Sequence, residues 1–432
     1  MKQPLISAYY QGLQPSPLRG AKQIALKRKD KVVIIDSSIG SVSLPTHPAI
    51  QKRMMQLGKF FSKGALPYTA TIGTDEAKAA FVNIYQALGV DIGKMQVIIT
   101  SGGSLAMQYV MLGIGDQNRS LVGFAPLYAN YLSYGERFNL PVKSLVRILT
   151  AEGRFTMPDE KEIERFIQKE KPSGLLVIPA DNPSGAYFNQ DKLNYLAKLC
   201  VKYNLWLVSD EAYFGLTYMD SGNSSSIWRI TEHQVPGIKG RRIGIHSASK
   251  NMNACGLRIG ALITDNEELA EKAVNCASAD LGAGIVDQYL FGALAGESVK
   301  SIRSFLTDLR IYYEEMLLGF RKKLLALSPG LIVSQPEASI YQVVDFRKVA
   351  PKGFKALDFI NWAAKEGKVM IKGKPYIMIG APMSGFYQPG KGEENPGNTQ
   401  IRIAFVMNKE EMWLGAEVLA KQFEIYLERL TK

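Results

Sequence analysis

The sequence predicts an α/β protein: a large domain on a mostly parallel, seven-stranded sheet flanked by helices, then a smaller α+β C-terminal domain. Two observations carry this prediction. From about residue 95 to 265, short apolar runs alternate with amphipathic stretches, the pattern of strands buried beneath helices. Beyond it, residues 297–327 contain no proline and one glycine, with apolar residues at helical spacing, so they read as one long helix leaving the sheet domain.

The seven strands fall at 97–100, 121–124, 142–148, 175–179, 205–209, 243–246 and 259–263. Helices lie between them. Residues 158–170 open on proline and acids, and 190–203 carry Leu193, Leu196, Ala197 and Leu199 on one face. In the smaller domain, strands are expected at 330–333, 339–345 and 400–405, with helices near 356–366 and from 409 onward. Residues 384–399, rich in Gly, Pro and charge, read as an exposed loop. The division that follows is an N-terminal arm or small-domain segment over 1–46, a large domain over 47–305 and a small domain over 306–432.

The formal charge of +12 suggests affinity for anions, but the basic residues are scattered among acids. The densest cluster, residues 27–31, includes Asp30 and is too short to define a nucleic-acid surface, so no nucleic-acid partner is expected. Cys200, Cys255 and Cys276 are odd in number and lack CxxC pairing, which predicts reduced, mostly buried thiols. His47, His233 and His246 stand far apart without metal-ligand spacing, so no metal is expected. The N-terminus lacks the apolar core of a secretory signal and no stretch is long enough to span a bilayer, which predicts a cytoplasmic protein with no membrane partner.

Four polar clusters sit at predicted strand ends. Ser101-Gly102-Gly103-Ser104 joins a strand to a helix, where free N–H groups and a hydroxyl can cradle phosphate; an ordinary turn is the alternative. Asn182-Pro183-Ser184-Gly185 and Asp210-Glu211-Ala212-Tyr213 follow two further strands, and ligands of open α/β sheets bind at such ends. By residue type alone, Asp210 also suits a helix cap and Asn182 a turn before proline. Ser247-Ala248-Ser249-Lys250 comes next, with Arg258 eight residues on. Lysine is the side chain that condenses with an aldehyde, so a phosphate and an aldehyde could be held together there.

These motifs, in this order, resemble the fold-type I pyridoxal phosphate enzymes, specifically class I/II aminotransferases related to aspartate aminotransferase. The resemblance runs from roughly Asp36 to the C-terminal helix. It implies pyridoxal 5'-phosphate as cofactor, held as an imine on Lys250, with Arg258, Gly103, Ser104 and Ser247 around the phosphate. Asn182 and Tyr213 would bond the phenolic oxygen, Asp210 the pyridine nitrogen, and Tyr128 would stack on the ring. Arg402, otherwise a strand-face charge, matches the arginine that grips the substrate carboxylate, and Gly40 lies in a segment that covers the substrate. Tyr68, with Gly73, follows a pattern whose tyrosine reaches the phosphate of a neighbouring subunit, which implies a homodimer with shared active sites. The family often continues to Leu-Arg where this chain has Ala77-Lys78.

The implied activity is transfer of an amino group from an L-amino acid to a 2-oxo acid by a ping-pong cycle through Lys250, which also serves as proton shuttle. A lyase on the same scaffold, a carbon–sulfur lyase or an aminocyclopropane-carboxylate synthase, is the alternative, because cofactor residues do not choose the bond broken. A transcription regulator with an aminotransferase-like domain would need a DNA-binding module, for which the roughly 45 residues before Thr46 leave no room. Ser104 stands where some aspartate-specific relatives carry lysine, and Asp280 would repel a second carboxylate if it lay in the substrate pocket. A neutral or aromatic donor is therefore expected.

Overall fold

A computed structural model describes residues 4–13, 17–219, 222–390 and 392–431. Its large sheet has seven strands in the order Gln96–Thr100, Gly260–Thr264, Arg242–Ser247, Trp206–Asp210, Gly174–Val177, Leu121–Ala125, Val142–Val146. All pairings are parallel except those of Gly260–Thr264, which runs antiparallel to both neighbours.

Successive side chains along these strands alternate between two cores with the two-residue period of a pleated sheet. Ile98, Leu176, Val208 and Leu262 join one hydrophobic core, whereas Val97, Ile99, Leu175, Val177, Leu207 and Ile263 join the other. Both faces are covered, which explains why the strands read as unbroken apolar runs. Val299–Leu327 forms the long helix, with Ser298 Oγ accepting from Ser301 N at 3.1 Å as its cap. Its Ile302 and Leu306 pack beside Phe81 and Ile84 of the Asp75–Ala87 helix, while Leu309 to Leu324 serve the core of the smaller domain.

The smaller domain holds two sheets. One orders Ala381–Pro382, Gln400–Ala404, Tyr341–Asp345 and Ile332–Val333; the other orders Val33–Asp36, Lys374–Ile379 and Val369–Ile371. Val33–Asp36 pairs in parallel with Lys374–Ile379, so the N-terminal segment is a strand of this C-terminal unit. The strands at 33–36, 369–371 and 374–379 escape sequence patterning because they are short and find their pairing only after long-range closure.

Two expectations need correction. Residues 384–399 are not an exposed loop throughout: Phe386, Tyr387 and Gly397 are buried, whereas Gly385 and residues 388–390 and 392–394 face solvent. The two aromatic rings supply the burial, and Leu127 N donates to the Phe386 carbonyl at 2.7 Å. The cysteines are not mostly buried either; Cys200 is, Cys255 is half-buried and Cys276 is exposed. In the basic 27–31 run, Arg28 pairs with Asp30 and donates to the carbonyls of Ala363 and Gly367 at 3.2 and 2.8 Å, closing the end of the Ala356–Lys365 helix. No helix among the described residues is long and apolar enough to cross a membrane.

Gln422, fully buried on the Lys409–Leu430 helix, clamps the main chain of Met378: its Oε1 accepts from the N–H at 3.0 Å and its Nε2 donates to the carbonyl at 3.1 Å. Gln422→Leu would leave both groups buried without partners. Urea unfolding of that variant should show a loss of about 2 kcal/mol, since each stranded group costs about 1–3 kcal/mol and apolar packing offsets part.

Candidate active site

Parallel strands deliver their C-terminal ends to one edge, and there a cavity of about 410 Å³ opens. It is lined by Gly103, Ser104, Tyr128, Asn182, Asp210, Tyr213, Ser247, Lys250 and Arg258, all singled out from sequence. Arg258 reaches this edge for a topological reason. It precedes Gly260–Thr264, whose antiparallel run begins where the parallel strands end.

Lys250 sits in the one-turn helix Ala248–Asn251, capped by Ser247, whose Oγ accepts from Ser249 N at 3.2 Å. Lys250 Nζ donates to the carbonyl of Gly40. A Cβ on Gly40 would fall 2.2 Å from the Tyr341 hydroxyl and 3.4 Å from Lys250 Nζ, so only glycine fits between them. Gly102 has φ +84° at the start of the Gly103–Ile114 helix, and a Cβ there would meet Arg258 Nη2 at 2.6 Å. The arginine thus packs directly over the helix N-terminus, a ready site for a dianionic phosphate.

Asp210 ends its strand with one oxygen accepting from Ala212 N at 3.1 Å and the other from the Tyr131 hydroxyl. No lysine or arginine among the described residues pairs with it. Burial therefore raises its carboxyl above the ordinary range, against the pull of Tyr131. A ring nitrogen carrying a proton and a positive charge is the partner such an acid lacks. Asn182 donates through Nδ2 to the Tyr213 hydroxyl at 3.3 Å, and Tyr213 pairs with the Tyr341 hydroxyl at 2.8 Å. Burial, then Tyr341, raises Tyr213 far above the ordinary phenol range, so it stays protonated.

Arg402 stands beside the cavity. Its Nη1 donates to Asn182 Oδ1 at 2.9 Å and its Nη2 to the Ser38 carbonyl at 2.7 Å, while Tyr341 and Phe386 flank the guanidinium at 4.5 and 5.2 Å. Its Nε is buried and has no acceptor. An orphaned guanidinium donor, a half-buried acid without a cation partner, a lysine amine and an arginine over a helix N-terminus together fit a pyridoxal phosphate and an amino-acid carboxylate.

Two predicted residues lie elsewhere. Tyr68 is 80% exposed, outside the cavity, and lines a separate cleft with Asp280 and Asp287. Asp280 accepts from the Tyr109 hydroxyl at 2.8 Å and does not line the cavity around Lys250. Sequence reasoning missed Tyr131 and Tyr341. Tyr131 carried a signal, one helical turn beyond Tyr128; Tyr341 comes from the smaller domain and carried none.

Comparison with known proteins follows the same line. The family model for aminotransferase class I and II matches residues 34–417. The chain belongs to the class I and II aminotransferases. Enzymes of this family use pyridoxal 5'-phosphate, and this chain is a PLP-dependent aminotransferase. It is 23% identical over 405 residues to an aspartate aminotransferase of Pyrococcus horikoshii, covering 93% of this chain and 92% of that protein. An aspartate/prephenate aminotransferase of Thermus thermophilus is 23% identical over 407 residues, 94% of this chain and 99% of its own. A solved aspartate aminotransferase of Thermus thermophilus, a single mutant, superposes with a TM-score of 0.79 at 21% identity, covering 97% of this aminotransferase and 100% of that chain. That likeness establishes the fold.

Behind Asp210, Glu211 turns to the opposite side of the aminotransferase's sheet. It accepts from Tyr85 Oη at 2.9 Å, Ser209 Oγ at 3.0 Å, Ser226 Oγ at 2.9 Å and Ile227 N at 3.1 Å, and no cation among the described residues pairs with it. Burial pushes its carboxyl up to about 7. The neighbouring His246 is pushed down to about 3 by burial and stays neutral. Because Glu211's folded value lies above the ordinary 4.5, its contribution to stability is full below pH 4.5 and is lost as pH rises through about 7. Relative to Glu211→Gln, the wild-type unfolding free energy should fall across that window by on the order of 3 kcal/mol. Paired urea titrations at pH 4.5 and 7.5 check this; parallel curves for the two proteins would refute it.

Proposed function

We propose that this aminotransferase moves an amino group from a neutral or aromatic L-amino acid to a 2-oxo acid in a ping-pong cycle, with Lys250 as the shuttling base. The observation that carries it is the convergence of Lys250, Asp210 and Arg258 on one cavity, with Arg402's free Nε beside it. Pyridoxal 5'-phosphate, when bound, supplies the aldehyde that amino groups capture and the ring that accepts the electron pair left when the α-proton departs.

The chain's residues do the rest. Arg258, the N–H of Gly103 and the hydroxyls of Ser104 and Ser247 hold the phosphate. Asp210 keeps a proton on the ring nitrogen, and its burial strengthens that attraction because little water screens it. Asn182 Nδ2 and the Tyr213 hydroxyl would donate to the phenolic oxygen, and Tyr128 would pack against the ring. Arg402 turns Nε and an Nη toward the α-carboxylate in a two-pronged grip, which orients the Cα–H bond toward Lys250. Lys250 Nζ would take that proton from Cα and hold it as an ammonium. Leaving Gly40's carbonyl frees it to do so.

The donor class follows from charge. Lys250 and Arg258 are the cations lining the cavity, and both have tasks; Arg402 takes the first carboxylate. Met107, Tyr128, Tyr134 and Ile178 supply apolar lining suited to an uncharged side chain. The exposed Tyr68, with Leu66 beside it, supports a homodimer in which each Tyr68 serves the other subunit's phosphate.

Lys250→Ala should lose the visible absorbance of lysine-bound cofactor together with turnover; an unchanged spectrum would remove Lys250 from this role. Individual amino acids offered with 2-oxoglutarate or pyruvate should give keto-acid exchange without ammonia, best with neutral and aromatic donors. Strong turnover of aspartate alone would overturn the donor class, and ammonia release would indicate a lyase.

A further inference from the structure

Arg147 and Asp181 form an ion pair with side chains only 2% and 4% exposed, outside the cavity lining. We propose that this pair positions Asn182, and through Asn182 the carboxylate-binding Arg402; the inference rests on the roles given to those two residues above. Arg147 follows the Val142–Val146 strand, and its Nη2 donates to Asp181 Oδ2 at 2.6 Å and to the carbonyls of Phe124 and Pro126 at 3.0 and 3.3 Å. One buried cation therefore ties the end of the Leu121–Ala125 strand, which leads to Tyr128, to the turn that carries Asn182.

Asp181 is held from other directions as well. Ser184 Oγ donates to the same carboxylate oxygen, and the Asp181 main-chain carbonyl accepts from Gly185 N at 3.1 Å and from Ser339 Oγ at 2.8 Å. Asn182, next along the chain, reaches Arg402 Nη1 with Oδ1 and Tyr213 with Nδ2. An amide must be oriented to accept on one side and donate on the other, so a small rotation of this turn loses both contacts. The Arg147–Asp181 pair thus governs a substrate contact and a cofactor contact at once through Asn182.

Packing alone does not call for charge here. A buried ion pair is often replaceable by apolar side chains of similar volume without loss of stability. The charge fixes direction instead: the Asp181 carboxylate accepts from Arg147 and Ser184 together, which orients the turn that carries Asn182.

The test is a double-mutant cycle of Arg147→Met with Asn182→Ala, reading kcat, KM for the amino donor, the pH titration of the bound cofactor's visible absorbance and urea stability. Arg147→Met should raise KM about tenfold and displace the absorbance titration, yet add no further change in the Asn182→Ala background. Equal changes in both backgrounds, or lost stability with KM and the titration unmoved, would make the pair structural and overturn the inference. If Asn182→Ala by itself leaves KM and the titration unchanged, the role of Asn182 fails, and the inference falls with it for that separate reason. Should Arg147→Met not fold, Arg147→Lys and Ser184→Ala weaken the same contacts: a smaller KM rise, absent in the Asn182→Ala background, supports the inference, and an unaltered KM in both overturns it.

Discussion

A carboxylate taken out of water must find compensation or give up its charge, and this constraint organises the sheet edge of the protein. Asp181 and Glu211 lie buried there and Asp210 half-buried, within or beside two strand ends. Each meets the constraint differently. Asp181 has a full countercharge in Arg147. Glu211 has neutral donors and no cation, so burial carries its carboxyl toward neutrality. Asp210 has a tyrosine hydroxyl and one N–H, and of the three it alone lines the cavity.

That difference assigns the chemistry. An acid already neutralised cannot polarise a ligand, and one held by four donors on the far side of the sheet cannot reach it. The acid left short of positive charge at the cavity is the one that a protonated ring nitrogen completes. The same logic applies to the cations. Arg147 is paired with Asp181, whereas Arg402 keeps one buried donor unused, and Arg258 bonds the Cys255 carbonyl at 3.0 Å and no acid among the described residues. Unmet electrostatic demand converges on one pocket.

Glycine and topology make the convergence possible. Gly102 lets Arg258 sit against a helix N-terminus, and Gly40 lets a loop of the N-terminal segment touch Lys250. The antiparallel strand Gly260–Thr264 brings Arg258 back to the edge that the parallel strands define. Much of this was legible beforehand, because strand ends, Gly-Gly, Asn-Pro and Ser-x-x-Lys are local patterns with local physical causes. Seven apolar runs announced seven strands because all but the edge strand Val142–Val146 are buried on both faces. The buried ends of the 384–399 segment were not legible, since two aromatic rings in a polar stretch reveal nothing of the pocket they will fill.

The sequence by itself determined the fold class, the order of the strands along the chain, and the residue types available for imine, phosphate and carboxylate chemistry. It also determined Lys250, Asp210 and Arg258 as candidates, because spacing from a strand end is a property of the chain. Only the tertiary structure decided that Tyr131 bonds Asp210, that Tyr341 bonds Tyr213, that Asp280 stands apart from Lys250, and that Arg147 neutralises Asp181. Those pairings join residues distant in sequence or at unrelated periods, and burial and electrostatic compensation act on distance in space.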